Sequence, residues 1–415
     1  MTRFPIDTVT RGGLSPTSDK PRFQGSTVRD HISNSILYLI LSANVLQYSF
    51  WGMQNPVYGI LRDIIIGLVV ILFLVTVRYQ EIQQALTKVK LLRVWLFSAL
   101  LFGIGTLTAY ALGATLTFGT LRDVSIIFGI LLIGYNKKID TKFFTKFTML
   151  YIVLGTLSAY SYVAVFGFEI YDQYIVDYKN QVAPLFAILS LLAVSHVIYT
   201  RKCRLLMILS MLLLIAVIAI LRARAALVAL LFCIMLYIFR SQRISIWVKF
   251  LVALFVVVFT VVNIGLISEI FMAGKQSTDI DTISSGRVSR VSDGLDFLSS
   301  DNNLLVGSLW GERYEGGVVH LFLMNLWIEY GGILSLPIVL LYFIFWGKIV
   351  KQCLMSEENA GGVYGITPYL VLLLLIISLN EYSYPFSPIS SLFVAYLLFG
   401  AFLRHQQYLV LNRHQ

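Results

Sequence analysis

Five arginines occupy positions from which a guanidinium group could bind an anion. Each begins an apolar run, lies in a short connection between two apolar runs, or follows a Ser-Gly pair: Arg62, Arg122, Arg222, Arg224 and Arg287. The planar guanidinium fork pairs with two phosphate oxygens at once, so several such groups in one cavity would bind a phosphate or pyrophosphate. We therefore predict that these arginines bind a phosphorylated substrate, with Arg290 as a further candidate.

The surroundings of the arginines favour that function to different degrees. Arg62 and Arg122 each precede an aspartate, so an ion pair that anchors a helix end at a membrane interface explains them equally well. Arg222 and Arg224 lie together in a short turn that the topology given below places on the outer side of a membrane. Lys and Arg are normally enriched on the inner side, so two arginines in such a turn are unexpected. For this second pair we favour substrate binding.

His320 is the candidate for proton transfer. An imidazole titrates near physiological pH, so it can accept the proton of an attacking hydroxyl, although a structural role is the alternative. His320 opens an amphipathic stretch that Glu329 closes, and Glu329 could position His320 or an arginine, or cap the interface. Lys179 and Asn180 are candidates for contacts to sugar or phosphate, with a snorkelling lysine as the simpler explanation of Lys179. Glu381, in the last outer turn, ranks below these residues.

Motifs for a nucleotide, a metal ion or another cofactor are absent from the sequence. It has no Walker A loop, no dinucleotide-binding glycine pattern, no nucleophile elbow and no Asp-x-Asp pair. The three cysteines include no CxxC pair, which argues against structural zinc, and none lies in an outer loop, which argues against a disulfide. We therefore predict that side chains carry the chemistry, with no cofactor and no metal.

The elements that must position these residues are apolar helices. Hydrophobic residues make up 58% of the 415-residue chain and charged residues only 13%, about half of what a soluble domain carries. This composition predicts an all-α polytopic membrane protein with about twelve transmembrane helices. The predicted spans are 34–52, 62–77, 94–113, 121–134, 147–168, 181–199, 204–221, 225–239, 246–267, 333–350, 365–380 and 388–404.

Loop charge predicts the orientation of these spans. Of the 32 Lys and Arg residues, 23 fall in segments on the side of the N-terminus and nine on the other side, while the acidic residues divide seven to fifteen. This positive-inside pattern predicts a multi-pass protein of the bacterial inner (plasma) membrane with both termini cytoplasmic. It also accounts for the net charge of +10 without a nucleic-acid partner. Because no cleavable signal peptide is visible, we expect the first span to be an uncleaved anchor.

The same topology predicts the domain organisation. A surface helix at 318–331 followed by one span keeps Lys348 and Lys351 inside, whereas two short spans across 318–350 would place them outside. The predicted parts are a disordered cytoplasmic tail (1–33), transmembrane helices 1–9 (34–267), one large periplasmic loop with short helices (268–332), transmembrane helices 10–12 (333–404) and a second cytoplasmic tail (405–415).

Several short sequence motifs resemble those of the O-antigen polymerase and ligase superfamily, both in their order along the chain and in their predicted location on one side of the membrane. They are Lys179-Asn180-Gln181, Arg224-Ala225-Ala226-Leu227, Ser285-Gly286-Arg287, Gly307, Gly311, His320 and Glu329-x-Gly331. The resemblance covers most of the chain in layout, but each motif alone is short. The family usually has Ser before the span-opening arginine, whereas this chain has Ala223 preceded by Arg222. That departure leaves open which arginine holds the phosphate, and we favour Arg224.

The resemblance implies a GT-C-like glycosyltransferase acting at the periplasmic face. The donor would be a glycan on undecaprenyl pyrophosphate, with Arg224 and Arg287 on the leaving group and His320 activating the acceptor hydroxyl, so that the anomeric carbon inverts without a metal. As partners it implies the lipid bilayer, this lipid-linked glycan, a chain-length regulator and a flippase. The product would be O-antigen, capsule or exopolysaccharide.

Other functions remain open at this point. An O-antigen ligase, which transfers the finished glycan to lipid A core, needs the same donor site, and we favour a polymerase only on the family's breadth. A polysaccharide flippase or transporter would place ionisable residues near the bilayer midplane, whereas this chain keeps its charges at the ends of the spans. A non-enzymatic scaffold in an export complex is the third alternative.

Overall fold

The computed structural model describes residues 28–54, 56–114, 118–137, 141–168, 179–200, 203–265, 286–300, 302–309, 314–355 and 363–413. Within these ranges the chain is all-helical and has no strand. The α-helices are α1 (Val28–Gln47), α2 (Val57–Thr76), α3 (Tyr79–Lys88), α4 (Lys90–Ala111), α5 (Gly119–Asn136), α6 (Thr141–Phe166), α7 (Lys179–Tyr199), α8 (Arg204–Ile220), α9 (Arg224–Arg240), α10 (Ile246–Val262), α11 (Arg287–Ser299), α12 (Asn303–Val306), α13 (Phe322–Met355), α14 (Thr367–Ser378) and α15 (Ile389–Arg413). Short 3₁₀ helices occupy Gly307–Leu309 and Val363–Ile366.

Apolar composition explains most of these helices. Five of them, α2, α4, α6, α7 and α13, are long and apolar enough to cross a membrane, and α8, α10 and α14 are shorter apolar helices. Each of the predicted apolar segments overlaps one helix. The chain is therefore an α-helical membrane protein, because backbone polar groups in hydrocarbon must be paired within the segment that carries them.

Helix α7 lies at the centre of the bundle. All its residues from Val182 to His196 are buried, and it packs against α6, α8, α9, α14 and α15. Helices α5 and α15 pack most closely, since a Cβ added to Gly134 would lie 2.1 Å from the Leu397 carbonyl oxygen and one on Gly400 would lie 2.2 Å from that of Leu131. Small residues allow this approach of two backbones, as is common in membrane helix pairs.

Helix α13 is interrupted at Gly331, where φ is +68° and ψ is 167°. The interruption fits against Gly307, which also has a positive φ, and a Cβ on Gly307 would lie 2.4 Å from the Gly331 nitrogen. Only glycine adopts such backbone geometry at this separation without strain. The first part of α13 therefore packs against the segment around α12, while the remainder joins the apolar bundle.

The region expected to be a surface helix differs from that prediction. Its helix begins at Phe322 rather than Val318, and it continues past Gly331 as part of α13. Both of its faces are covered, because Phe322 and Leu326 join the main core while Met324 and Ile328 pack with Leu298 and Val319 of the loop region. This helix is therefore buried on two sides, which hydropathy does not reveal.

The helix ends also extend beyond the predicted limits. Helix α1 begins at Val28, within the expected tail, and α15 runs to Arg413 through most of the second tail. The short helix α3 follows α2 in a segment that we expected to be a loop. The ends of these helices are set by helix propensity and side-chain contacts rather than by the limits of the apolar runs.

The bundle has two chemically different ends. At one end, the Arg29 side chain donates to the Val75 carbonyl oxygen, Arg404 donates to the Tyr135 carbonyl oxygen at 3.3 Å, and Arg240 donates to that of Leu354. We call this the basal end. At the other end, which we call the site end, the first residues of α2, α5, α7 and α9 lie on the same side as the turn after α14.

Candidate functional site

Glu381 bridges an arginine and a histidine that are distant in sequence. It lies in the turn after α14, and its side chain is only 7% exposed. Its Oε1 is 3.3 Å from Nη2 of Arg287, and its Oε2 is 3.7 Å from Nδ1 of His320. Arg287 also donates from Nη1 to the carbonyl oxygen of Asn380 at 2.5 Å. Two successive residues of one turn therefore fix the arginine, and the carboxylate faces the imidazole.

Local backbone geometry positions Arg287 and His320. Gly286 has a φ of +73° and precedes α11, which makes Arg287 the first residue of that helix. His320 lies in the connection that leads into α13, and its ring centroid is 6.2 Å from that of Tyr382. Its Nδ1 is buried and has no hydrogen-bond partner in the described part of the chain, because 3.7 Å is too long for a hydrogen bond to Glu381.

A group of cations surrounds this bridge. The charges of Arg224, Arg222 and Arg287 repel the Lys179 ammonium group, and Glu381 attracts it, so all four residues lie within electrostatic range of Lys179. Arg287 likewise acts on Arg224. We call Lys179, Arg222, Arg224, Arg287, His320 and Glu381 the cationic site. The cationic site holds one carboxylate and four lysine or arginine side chains, which is an arrangement that favours an anion.

The helix ends strengthen this positive potential. Arg224 and Arg287 are the first residues of α9 and α11, and Lys179 is the first described residue of α7. A helix N-terminus carries a partial positive charge and is stabilised by anions, so a cation at this position is unfavourable by itself. An anion bound at these helix ends would offset the repulsion between their cations.

Arg222 occupies a strained turn between α8 and α9. Its φ is +52°, its backbone N–H donates to the Ala219 carbonyl oxygen at 2.9 Å, and its buried Nε finds no acceptor among the described residues. A non-glycine residue in the left-handed region is uncommon and is often associated with function. Both members of the Arg222–Arg224 pair thus contribute to the cationic site, in a turn with no serine.

Arg62 and Arg122 lie in a separate group. Arg62 pairs with Asp63 (Nε to Oδ1, 3.0 Å) and Arg122 pairs with Asp123 (Nε to Oδ1, 2.8 Å). Arg62 is also close enough for its charge to act on buried Asp123. The structure therefore brings Arg62 and Arg122 together at Asp123, in the ion pairs that the sequence left as an alternative, rather than beside Glu381.

The remaining predicted residues are spread over the site end. Asn180 follows Lys179 in the first turn of α7, and the Arg290 carbonyl oxygen accepts a hydrogen bond from the Tyr314 hydroxyl at 3.3 Å. Glu329 lines a cleft with Asp123. The carboxylate that faces His320 is Glu381 instead. Ser285 and Gly311, which belong to the quoted motifs, lie outside the described residues.

Sequence reasoning gave Glu381 too little weight, and it did not single out Asn380 or Tyr382. The available signal was an acidic residue in a short turn between two apolar segments, on the side where the arginines gather. In the part of the chain that the structure describes, no three His, Cys, Asp or Glu side chains form a group that could hold a metal ion.

The fold defines an α-helical membrane protein, and its described residues bring several cations together around Glu381 and His320 at one end of the bundle. No protein-family model matches the chain, and no curated protein matches it.

Proposed function

We propose that the protein is a glycosyltransferase that polymerises undecaprenyl-pyrophosphate-linked oligosaccharide repeat units into O-antigen, capsule or exopolysaccharide. The observation that carries this proposal is the Glu381 bridge between Arg287 and His320, surrounded by Lys179 and Arg224. It combines cations for a leaving pyrophosphate with an imidazole for a proton, at one end of an apolar bundle.

The cations stabilise the leaving group. When the glycosidic bond to phosphate breaks, the electron pair goes to the phosphate oxygen and negative charge builds up on the pyrophosphate. Arg224 and Arg287 bind its oxygens bidentately, while Arg222 and Lys179 add positive charge. Fixed cations in a half-buried site lower the energy of that charge without a metal ion.

His320 activates the acceptor. It takes the proton of an acceptor hydroxyl while that oxygen forms its bond to the anomeric carbon from the face opposite the pyrophosphate, so the configuration inverts. Glu381 faces Nδ1 of His320 and stabilises the imidazolium that results.

A lipid-linked donor explains why such a site is built on a membrane protein. In this proposal the GT-C-like bundle has about twelve spans, the site end faces the periplasm, and both termini lie in the cytoplasm of the inner membrane. The 23-to-nine division of Lys and Arg and the basic residues at the basal end support this orientation. A chain-length regulator and a flippase would act beside it.

Reconstitution tests the proposal. Purified protein in liposomes should extend an undecaprenyl-pyrophosphate oligosaccharide into a ladder of longer lipid-linked products. Arg224→Ala, Arg287→Ala and His320→Ala should each lower the initial rate by about 100-fold or more, because each removes charge stabilisation or proton transfer. Arg93→Ala, an exposed arginine at the start of α4, should leave the rate unchanged.

The products distinguish the competing functions. Transfer to lipid A core without lengthening on the carrier would identify a ligase, and movement of the lipid-linked unit across the bilayer without a new bond would identify a flippase. Folded Arg287→Ala and His320→Ala proteins that polymerise at the wild-type rate would refute the proposed site.

A further inference from the structure

A polar cleft lies beside the cationic site and takes no part in the chemistry described above. It opens between the start of α5, the first part of α13 and the turn after α14, and its volume is about 210 Å³. Its polar lining includes Thr120, Asp123, Asn325, Glu329, Tyr382 and Ser387. We call it the α5–α13 cleft. Pockets for drug-sized molecules measure roughly 300–1,000 Å³, so this one suits a smaller unit such as a single sugar ring.

The chemistry of the lining favours a saccharide over a phosphate. Carboxylates accept hydrogen bonds from sugar hydroxyls, and an amide such as that of Asn325 both donates and accepts. Asp123 is held in place by Arg122 at 2.8 Å and is 7% exposed, so its orientation is fixed. The described residues that line the cleft include no lysine or arginine, so a phosphate would find no cation in that lining.

Aromatic side chains complete this lining. The rings of Tyr382 and Phe386 border the cleft together with Phe322. Phe322 and Phe386 are buried, with their ring centroids 5.4 Å apart, and form an apolar wall. Tyr382 is the ring that can cover the C–H surface of a sugar while the polar groups bind its hydroxyls. Tyr382 remains 41% exposed, so its ring is available to a ligand.

Tyr382 also joins the cleft to the catalytic residues. It follows Glu381 directly, and its ring centroid is 6.2 Å from that of His320. A sugar against Tyr382 would therefore lie near His320, which faces the carboxylate that also pairs with Arg287. A transfer reaction between two glycans needs the acceptor close to the residue that takes its proton.

We propose that the α5–α13 cleft binds the terminal saccharide ring of the acceptor glycan, and that this ring is neutral or carries an ammonium group. The assignment of the ring to the acceptor rests on the proposed function, whereas the binding of a saccharide does not. Because the described lining holds two carboxyl groups and no lysine or arginine, a hexuronic acid is the disfavoured ligand.

Direct binding tests the cleft without any transfer reaction. Methyl glycosides of a hexose, an N-acetylhexosamine and a hexuronic acid are offered to the protein in nanodiscs, and saturation-transfer NMR records their binding. We expect at least one neutral glycoside to bind, the hexuronic acid to bind at least 5-fold more weakly, and Asn325→Leu to lower the signal at least 5-fold. Gln83→Leu, an exposed amide on α3, is the matched control.

A second measurement separates this inference from the proposed function. Arg287→Ala should keep glycoside binding, and Asn325→Leu should keep binding of undecaprenyl pyrophosphate, which also shows that the variant is folded. Transfer activity without any glycoside binding, or with binding unaffected by Asn325→Leu, would overturn the cleft assignment alone. Glycoside binding that depends on Asn325, in a protein that never forms a glycosidic bond, would overturn the polymerase while keeping the saccharide site.

Discussion

At the scale of a single residue, the Glu381 side chain connects Arg287, the proposed ligand of the leaving group, with His320, the proposed proton acceptor. One carboxylate oxygen contacts Arg287 at 3.3 Å and the other faces His320 at 3.7 Å. A neutral group of the same shape would keep the packing of the turn but remove the charge that stabilises a protonated imidazole. The carboxylate therefore acts through His320 and is a positioning residue in the proposed reaction.

Glu381→Gln should lower kcat for polymer extension by about 10-fold or more, since proton transfer contributes about 10²–10⁴ to such rates. KM for the lipid-linked donor should change little, because the cations remain. Glu381→Asp should recover part of kcat, and Glu315→Gln, an exposed glutamate, should have no effect. Steady-state kinetics on proteins of equal thermal stability would check this, and an unchanged kcat in Glu381→Gln would contradict the role given to it.

Helix packing depends on a few glycines at the scale of the element. Helices α5 and α15 approach so closely that a Cβ on Gly400 would lie 2.2 Å from the Leu131 carbonyl oxygen, a backbone atom that cannot rotate away. Overpacking of this kind costs about 1–3 kcal/mol. In contrast, a Cβ on Gly67 of α2 meets nothing within 4 Å.

Gly400→Ala and Gly67→Ala should therefore change stability in opposite directions. Gly400→Ala should lower the Tm in detergent by several degrees, because α5 and α15 must move apart. Gly67→Ala should leave the Tm unchanged or raise it, since alanine is the better helix former. Thermal unfolding followed by intrinsic fluorescence measures the Tm of both variants. Equal changes in Tm would show that the close approach of Gly400 to α5 does not contribute to stability.

Sequence reasoning predicted the elements better than the contacts between them. The apolar runs identified the helices because hydrocarbon burial acts within each segment. The interruption at Gly331 was not predicted, since it depends on the approach of Gly307, and the partner of Arg287 lies 94 residues away along the chain. Such long-range pairs are set by packing, which one sequence without relatives does not display.

At the scale of the whole molecule, the bundle has a basal end and a site end, and single cysteines can report on each of them. Cys203 is exposed just before α8, at the basal end, whereas Cys233 and Cys353 are buried. Ser292 is exposed on α11, next to the cationic site. In the proposed orientation these two positions face opposite sides of the inner membrane.

A membrane-impermeant maleimide should therefore label wild-type Cys203 in inverted vesicles but not in intact spheroplasts. Ser292→Cys in a Cys203→Ser background should show the reverse pattern, and the Cys203→Ser protein alone should stay unlabelled because its other thiols are buried. Labelling is read by mass shift on a gel. Reaction of both positions from the same side would contradict the orientation, whatever the enzymatic activity.

The location of the first and last described helices has a practical consequence. Helix α1 starts, and α15 finishes, at the basal end, where Arg29 and Arg404 make their contacts. A fluorescent reporter or an affinity tether joined beyond Arg413 would sit far from Glu381. Protein captured on a sensor chip through such a tether would present its site end to the flowing solution, so ligand binding could be recorded without obstruction by the chip.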